Sequence, residues 1–356
     1  MVHHTCETRI IGNAALPLRL LVAIGLLLGH GAHAWSQESN RVAAKEPLGI
    51  CLEGYSYPYE VHFLPLEASN HAVRLAYMDV APNGPANGRT VLLVHGRNFP
   101  ASYWEPTIRA LTAAGYRVVA PDQINFGKSS KLDDVPVSFD VMATHTATLL
   151  DHLGIERVDI VAHSMGNMAA ARFTRTFPQR VGKLIMYGPV GLEDYRFYVP
   201  PVAPQLLIEQ EDRLTADAYL KQLITTYGLT LPVDQVQPFV DIRERMKGSA
   251  DWPRWVRSFV ASYYAIWGQP VVHELPLIER PVLFLVGTRD HTAPGRAFAP
   301  PQDRDRMGHM VELAQAMAPK LKNAQVEVFD GVGHLIHLEA VEPFNRTVLR
   351  FLAEQP

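Results

Sequence analysis

Apolar and polar residues alternate over 60–66 and again over 72–80, the period-two pattern of two antiparallel strands with one face buried. The cluster Asn83, Gly84, Pro85, Ala86, Asn87, Gly88 is expected to close that pair with a turn. From residue 90 the pattern changes. Short apolar runs at 90–94, 117–120, 158–162, 184–187, 282–286 and 325–329 suit strands, and the unbroken run at 90–94 suits one covered on both faces. Stretches of helical spacing follow at 139–153, 168–177, 310–321 and 343–352. Strands alternating with amphipathic helices predict right-handed crossovers and a mainly parallel, doubly wound α/β sheet. Between 192 and 275 the alternation stops, and helical spacing at 215–227, 234–247 and 252–267 predicts a helical lid inserted into a core made of 59–191 and 276–356. No fixed-period repeat or heptad run is present, which excludes solenoids and coiled coils.

The start of the chain follows different rules. Arg9 and Arg19 precede an apolar run from Leu20 to Leu28, and Ala32-His33-Ala34 forms a small-x-small cleavage site, so residues 1–34 are expected to be a secretory signal peptide. The run is shorter than the ~20 apolar residues needed to span a bilayer. An exported protein, periplasmic or secreted, is the expectation. Residues 35–58 are polar and Pro/Gly-punctuated and are expected to be an extended leader that docks on the domain or stays mobile. Cys6 would leave with the signal, so Cys51 would have no partner for a disulfide and is expected to be a small buried or linker residue.

A formal net charge of -3 gives no basic field for nucleic acid or anionic membranes, which leaves a small neutral or weakly charged molecule as the expected ligand. No metal-ligand spacing stands out, and no cofactor is expected.

The strongest chemical signal is the run 158–162 leading into Ala162-His163-Ser164-Met165-Gly166 and then a helix. A sharp strand-to-helix turn exposes the serine hydroxyl and requires small residues two before and two after it, which Ala162 and Gly166 are. A serine hydroxyl is a weak nucleophile at neutral pH and requires a base within hydrogen-bond reach. Asp330-Gly331-Val332-Gly333-His334 follows the last strand, and its glycines allow a loop that brings His334 over the sheet edge; His337 is the rival. A carboxylate must then hold the imidazole in one tautomer. Asp290 ends the segment after 282–286, with Asp194 in reserve after 184–187 beside Glu193.

These segments resemble the α/β-hydrolase superfamily, and its lid-bearing branch in particular, which includes haloperoxidase-like esterases, carbon-carbon bond hydrolases and proteins with an epoxide-hydrolase-like fold. The resemblance extends from about residue 59 to 352. It implies an eight-stranded, mostly parallel sheet with flanking helices and an inserted lid, and the order Ser164, Asp290, His334 matches the superfamily's order of nucleophile, acid and histidine. It further implies an oxyanion hole from the backbone N–H of Met165 and of Arg97, the latter in the segment His95-Gly96-Arg97-Asn98 that looks like the superfamily's His-Gly loop. His95 itself is expected to be structural. The segment 121–130 resembles the Asp-x-x-Gly-x-Gly-x-Ser loop, with Asn125 in place of the first glycine and Asp122 as a loop brace; asparagine tolerates the left-handed backbone such a position needs. Asn98, His163 and Trp267 are expected to contact substrate. Trp267 belongs to a lid series with Trp252, Trp255, Tyr263 and Tyr264, most of which are expected to serve only in packing. A serine at the elbow, where relatives that open epoxides or dehalogenate carry aspartate, implies a cofactor-free serine hydrolase of carboxylic esters or related acyl compounds. Cleavage of an amide or of a carbon-carbon bond beside a ketone would use the same residues, and a non-catalytic ligand-binding protein is the alternative of another class.

Overall fold

In the computed structural model, residues 46–354 are described, so the expected signal peptide and the first part of the leader lie outside the described residues. Eight strands form one sheet: β1 (Val61–Ala68), β2 (His71–Val80), β3 (Thr90–Val94), β4 (Arg117–Pro121), β5 (Val158–His163), β6 (Val181–Tyr187), β7 (Val282–Gly287) and β8 (Ala324–Phe329). Their order is β1-β2-β4-β3-β5-β6-β7-β8. The pairs β1/β2 and β2/β4 are antiparallel and every other pair is parallel. The central strands carry almost continuous buried side chains, as strands covered on both faces must.

The strand order reverses at β3 and β5. From β3 the chain crosses to β4 on one side, and from β5 it crosses to β6 on the other, so right-handed crossovers send the two following helices to opposite faces. Accordingly Glu105–Ala113 packs with Val341–Ala353, whereas Met165–Thr176 packs with Phe139–His152. A crevice must open between the carboxyl ends of β3 and β5, where such sheets bind ligands.

The turn between the first two strands differs from expectation. Ser69 and Asn70, at φ 50° and 66°, make a two-residue hairpin, and the cluster Asn83 to Gly88 instead links β2 to β3. Two successive left-handed residues match the twist of the flanking strands, so the tight turn wins over the glycine-rich cluster.

Four helices lie between β6 and β7: Pro204–Arg213, Ala216–Thr226, Val233–Lys247 and Trp252–Gly268. The first was not expected; none of its residues is buried, so it has no apolar stripe pressed into a core. The lid has an interior of its own. Trp252, Trp255 and Phe259 stack successively at 4.6 and 4.7 Å, and Arg243 lies buried beside Tyr219, Trp252 and Trp255 with its charge met by Glu211 at 2.7 Å. Trp252 and Trp255 thus serve in packing.

From Pro47 the leader lies on this assembly. Leu48, Ile50, Cys51 and Leu52 are buried, the amide of Leu48 donates to the carbonyl of Arg245 in the lid, and Lys128 Nζ donates to the carbonyl of Leu52 at 2.7 Å. Burial of three large aliphatic side chains, at about 1.5–3 kcal/mol each, accounts for the docking.

Candidate active site

Register brings the loops that carry the candidate catalytic residues together. Val94 pairs with Ala162 and His163 with Tyr187, so the loop after β3 runs beside Ser164. On the other side Gly287 pairs with Phe329, which sets the loops carrying Asp290 and His334 next to each other.

Ser164 sits at φ 53° and ψ -124° between β5 and the helix Met165–Thr176. This is a backbone conformation that L-residues adopt only under constraint. The constraint is visible: the Ser164 amide donates to the carbonyl of Tyr187, and Asn167 Nδ2 donates to the carbonyls of both Ser164 and Tyr187. A side chain at Gly166 would meet the carbonyl oxygens of Val94 and His95 at 2.5 and 2.6 Å, which is why the position two after the serine has none.

His334 is fully buried, and its Nδ1 lies 2.7 Å from Asp290 Oδ2. The other Asp290 oxygen accepts from the amide of Thr292 at 3.0 Å. Burial pushes the Asp290 carboxyl up, but the imidazole of His334 and the Thr292 donors more than offset that, so it is held below the usual carboxylate range. With its Nδ1–H donating a hydrogen bond to the carboxylate, His334 has Nε2 as an acceptor, and that nitrogen has no partner among the described residues.

The amides of Arg97 and Met165 likewise donate to no protein acceptor among the described residues, and both residues line the cleft. Arg97's side chain turns away into the lid: Nε donates to Ser262 Oγ at 2.7 Å, Nη2 to the carbonyl of Phe259, and the guanidinium lies 3.7 Å from the centre of the Phe259 ring. The loop after β3 is thereby tied to the helix Trp252–Gly268.

The cleft has room for about 1000 Å³. Ser164, Arg97, Asn98 and Met165 lie on its core side; lid residues Tyr227, Val260, Tyr263 and Ile266 face them, and the segment 291–298 forms a further wall. Of the residues expected to contact substrate, Asn98 lines it. His163 does not. It is fully buried, its Nε2 donates to the carbonyl of His334, and its Nδ1 accepts from the hydroxyl of Tyr103, which in turn accepts from the amide of Gly96. A strand residue adjacent to the elbow alternates to the opposite side from the serine, so His163 bolts together the three loops that carry Gly96, Ser164 and His334. Burial holds it neutral, well below the usual histidine range. Trp267 does not line the cleft either; its Nε1 donates to the carbonyl of Val199, which fixes the incoming lid segment.

The alternatives are elsewhere. His337 is buried among Tyr103, Trp104, Tyr187 and Phe344, shares a hydrogen bond with Tyr187 through Nδ1, and is pushed down to about 3 by burial. Asp194 pairs with Arg196 and His273, away from His334, and the Arg196 hydrogen bonds hold it down at about 2. His95 accepts from the amide of Gln123 at Nε2 and bonds the carbonyl of Gly96 through Nδ1. Asp122 accepts from the amides of Ala101 and Lys128 and from the hydroxyl of Tyr57, bracing its loop, and Asn125 takes the left-handed conformation at φ 79°.

Glu193 is buried, and one oxygen accepts from the amide of Gly308, next to the cleft wall. Burial pushes its carboxyl up to about 7. The folded state therefore holds this proton more tightly than the unfolded chain, so the stability is full below about pH 4.5 and is lost as pH rises through about 7, by about 3 kcal/mol at most. Glu193→Gln is expected to raise the thermal midpoint by several degrees at about pH 8 and leave it nearly unchanged at about pH 5; equal midpoints at both would contradict the assignment.

The chain matches the model of the alpha/beta hydrolase family over residues 91–347, and it belongs to that family. It is therefore a hydrolase. Among known proteins it is similar to a probable hydrolytic enzyme from Pseudomonas aeruginosa, 35% identical with a TM-score of 0.83, over 87% of this chain and 99% of that one. It is also 30% identical to a 2-hydroxy-6-oxononadienedioate/2-hydroxy-6-oxononatrienedioate hydrolase of Pseudomonas putida, over 74% of this chain and 87% of that one. An esterase from Exiguobacterium antarcticum shares the fold, with a TM-score of 0.64 at 19% identity over 82% of this chain and 99% of the other.

Proposed function

We propose that this enzyme cleaves carboxylic esters or related acyl compounds through an acyl-enzyme on Ser164. One observation carries the reading: a buried Asp290–His334 pair leaves the imidazole Nε2 without a hydrogen-bond partner among the described residues, Ser164 included, while Ser164, on a strained turn, lines a cleft also lined by Tyr227, whose ring packs on that of His334. His334 takes the hydroxyl proton as Ser164 Oγ attacks the carbonyl carbon; the oxyanion is held by the amides of Arg97 and Met165. Collapse breaks the bond to the leaving group, which receives the proton from His334. Water, deprotonated by the same imidazole, then releases the acid and restores Ser164.

A second reading keeps every residue and changes the leaving group to a carbon, the enol of a ketone. It is favoured by the Pseudomonas putida relative, whose name is that of a hydrolase of unsaturated oxo-dioates. A panel of p-nitrophenyl esters of increasing chain length beside a vinylogous 1,5-diketone separates the two. Graded turnover of the esters supports the first; turnover of the diketone with negligible ester cleavage supports the second. A wild-type enzyme that a serine-directed fluorophosphonate fails to label would overturn both.

A further inference from the structure

Tyr227, just past the lid helix Ala216–Thr226, is the lid residue that touches both halves of the machinery, and no pattern in the sequence singles it out. Its carbonyl accepts from the amide of His334 at 2.8 Å, and its ring lies 4.5 Å from the His334 ring. Side chains at Gly333 and Gly228 would strike the carbonyl oxygens of Tyr227 and Arg289 at 2.4 and 2.0 Å, so this part of the lid is seated directly on the loops carrying the histidine and the acid. At its other end the phenol accepts a hydrogen bond from Nδ2 of Asn98, the residue after Arg97. Tyr227 therefore spans from the base to the oxyanion loop, across the cleft that Ser164 lines.

The phenol oxygen accepts from Asn98, and its own hydrogen has no acceptor among the described residues. Burial raises the phenol to about 12, so it keeps that hydrogen at any working pH. Resting on the serine mechanism proposed above, we propose that the Tyr227 hydroxyl is a further catalytic residue, oriented by Asn98, that donates a hydrogen bond to an acceptor oxygen at the reacting end of the substrate. The ligand class is then an acyl compound with an oxygen on both sides of the attacked carbon or conjugated to it, as in an ester or an enolisable diketone.

Tyr227→Phe keeps the ring on His334 and the main-chain bond to its amide, and removes the hydroxyl, which is both the donor to substrate and the acceptor for Asn98. It is expected to lower kcat by about 10²-fold, in the range seen for loss of one transition-state donor, with KM changed less than about threefold and the thermal midpoint lowered only slightly, by the loss of the bond from Asn98. The inhibition constant of an alkylboronic acid, whose tetrahedral adduct on Ser164 presents oxygens in both positions, should rise in step with the fall in kcat/KM. Asn98→Ala should lower kcat less, and the double variant should be no worse than Tyr227→Phe alone. Turnover of Tyr227→Phe within twofold of wild type, or a fall in kcat without weaker boronate binding, overturns the donor role. Labelling by the fluorophosphonate separates the two levels: if the wild type labels and Tyr227→Phe turns over normally, only the donor role fails, whereas an unlabelled wild type removes the serine mechanism itself.

Discussion

Replacement of Ser164 by alanine is expected to lower kcat by on the order of 10⁶-fold, the loss found when the nucleophile of another serine hydrolase is removed, and to abolish labelling by a fluorophosphonate. The fold should survive, because among the described residues no side-chain hydrogen bond of Ser164 supports the elbow; the amide and carbonyl of the residue do. Stability gives a second readout. At φ 53° any residue with a Cβ is strained, at a cost of about 1–3 kcal/mol. Alanine retains that strain and glycine does not, although glycine gives back about 0.5–1 kcal/mol through the freedom it gains in the unfolded chain. Ser164→Gly should therefore unfold at or above the temperature of Ser164→Ala, the reverse of the usual order. Calorimetry of the two inactive variants decides it, and an alanine variant several degrees more stable than the glycine one would show that the elbow is relaxed.

Asp290→Asn should cost about 10⁴-fold in kcat. The physical cause is the direction of one hydrogen bond. Asp290 accepts the Nδ1 proton of His334 at 2.7 Å and is itself fixed by the amide of Thr292. An asparagine that keeps its oxygen toward Thr292 must present its NH₂ to Nδ1, which drives the proton to Nε2 and leaves the imidazole unable to accept from Ser164. Geometry and KM should hardly change, and Asp290→Ala should not be markedly more active. A variant within tenfold of wild type would show that another group orients His334; Asp194 is a poor substitute, engaged as it is by Arg196 and His273.

Much of the architecture was legible because it depends on local rules. Runs of buried residues marked six strands to within a few residues, and the two alternating segments marked the antiparallel pair. Asn125 could be placed in a left-handed position from its side chain alone, and it is found there. The elbow was legible for the same reason: small residues around a serine between strand and helix reflect sterics within five positions.

Other features were not. The hairpin at Ser69 and Asn70 lacks the glycine that would have advertised it, and the helix Pro204–Arg213 lacks a buried face. His163 and Trp267 carry side chains of the kind that line pockets, yet both are committed to carbonyls of distant segments, His334 and Val199. Tyr227 is one of thirteen tyrosines and carries no local mark.

The sequence by itself determined the strands of the sheet and the turn that exposes Ser164, since each follows from periodicity or from the size of neighbouring residues, whereas the order of nucleophile, acid and histidine was implied by the resemblance to the α/β-hydrolase superfamily. Only the tertiary structure decided that Asp290 rather than Asp194 faces His334, that His163 ties loops together beneath the cleft, and that a lid tyrosine reaches from Asn98 to the histidine loop. Those contacts join residues 44 to 171 positions apart. They are set by strand register and by the seating of the lid on the core, and no local pattern of residues encodes either.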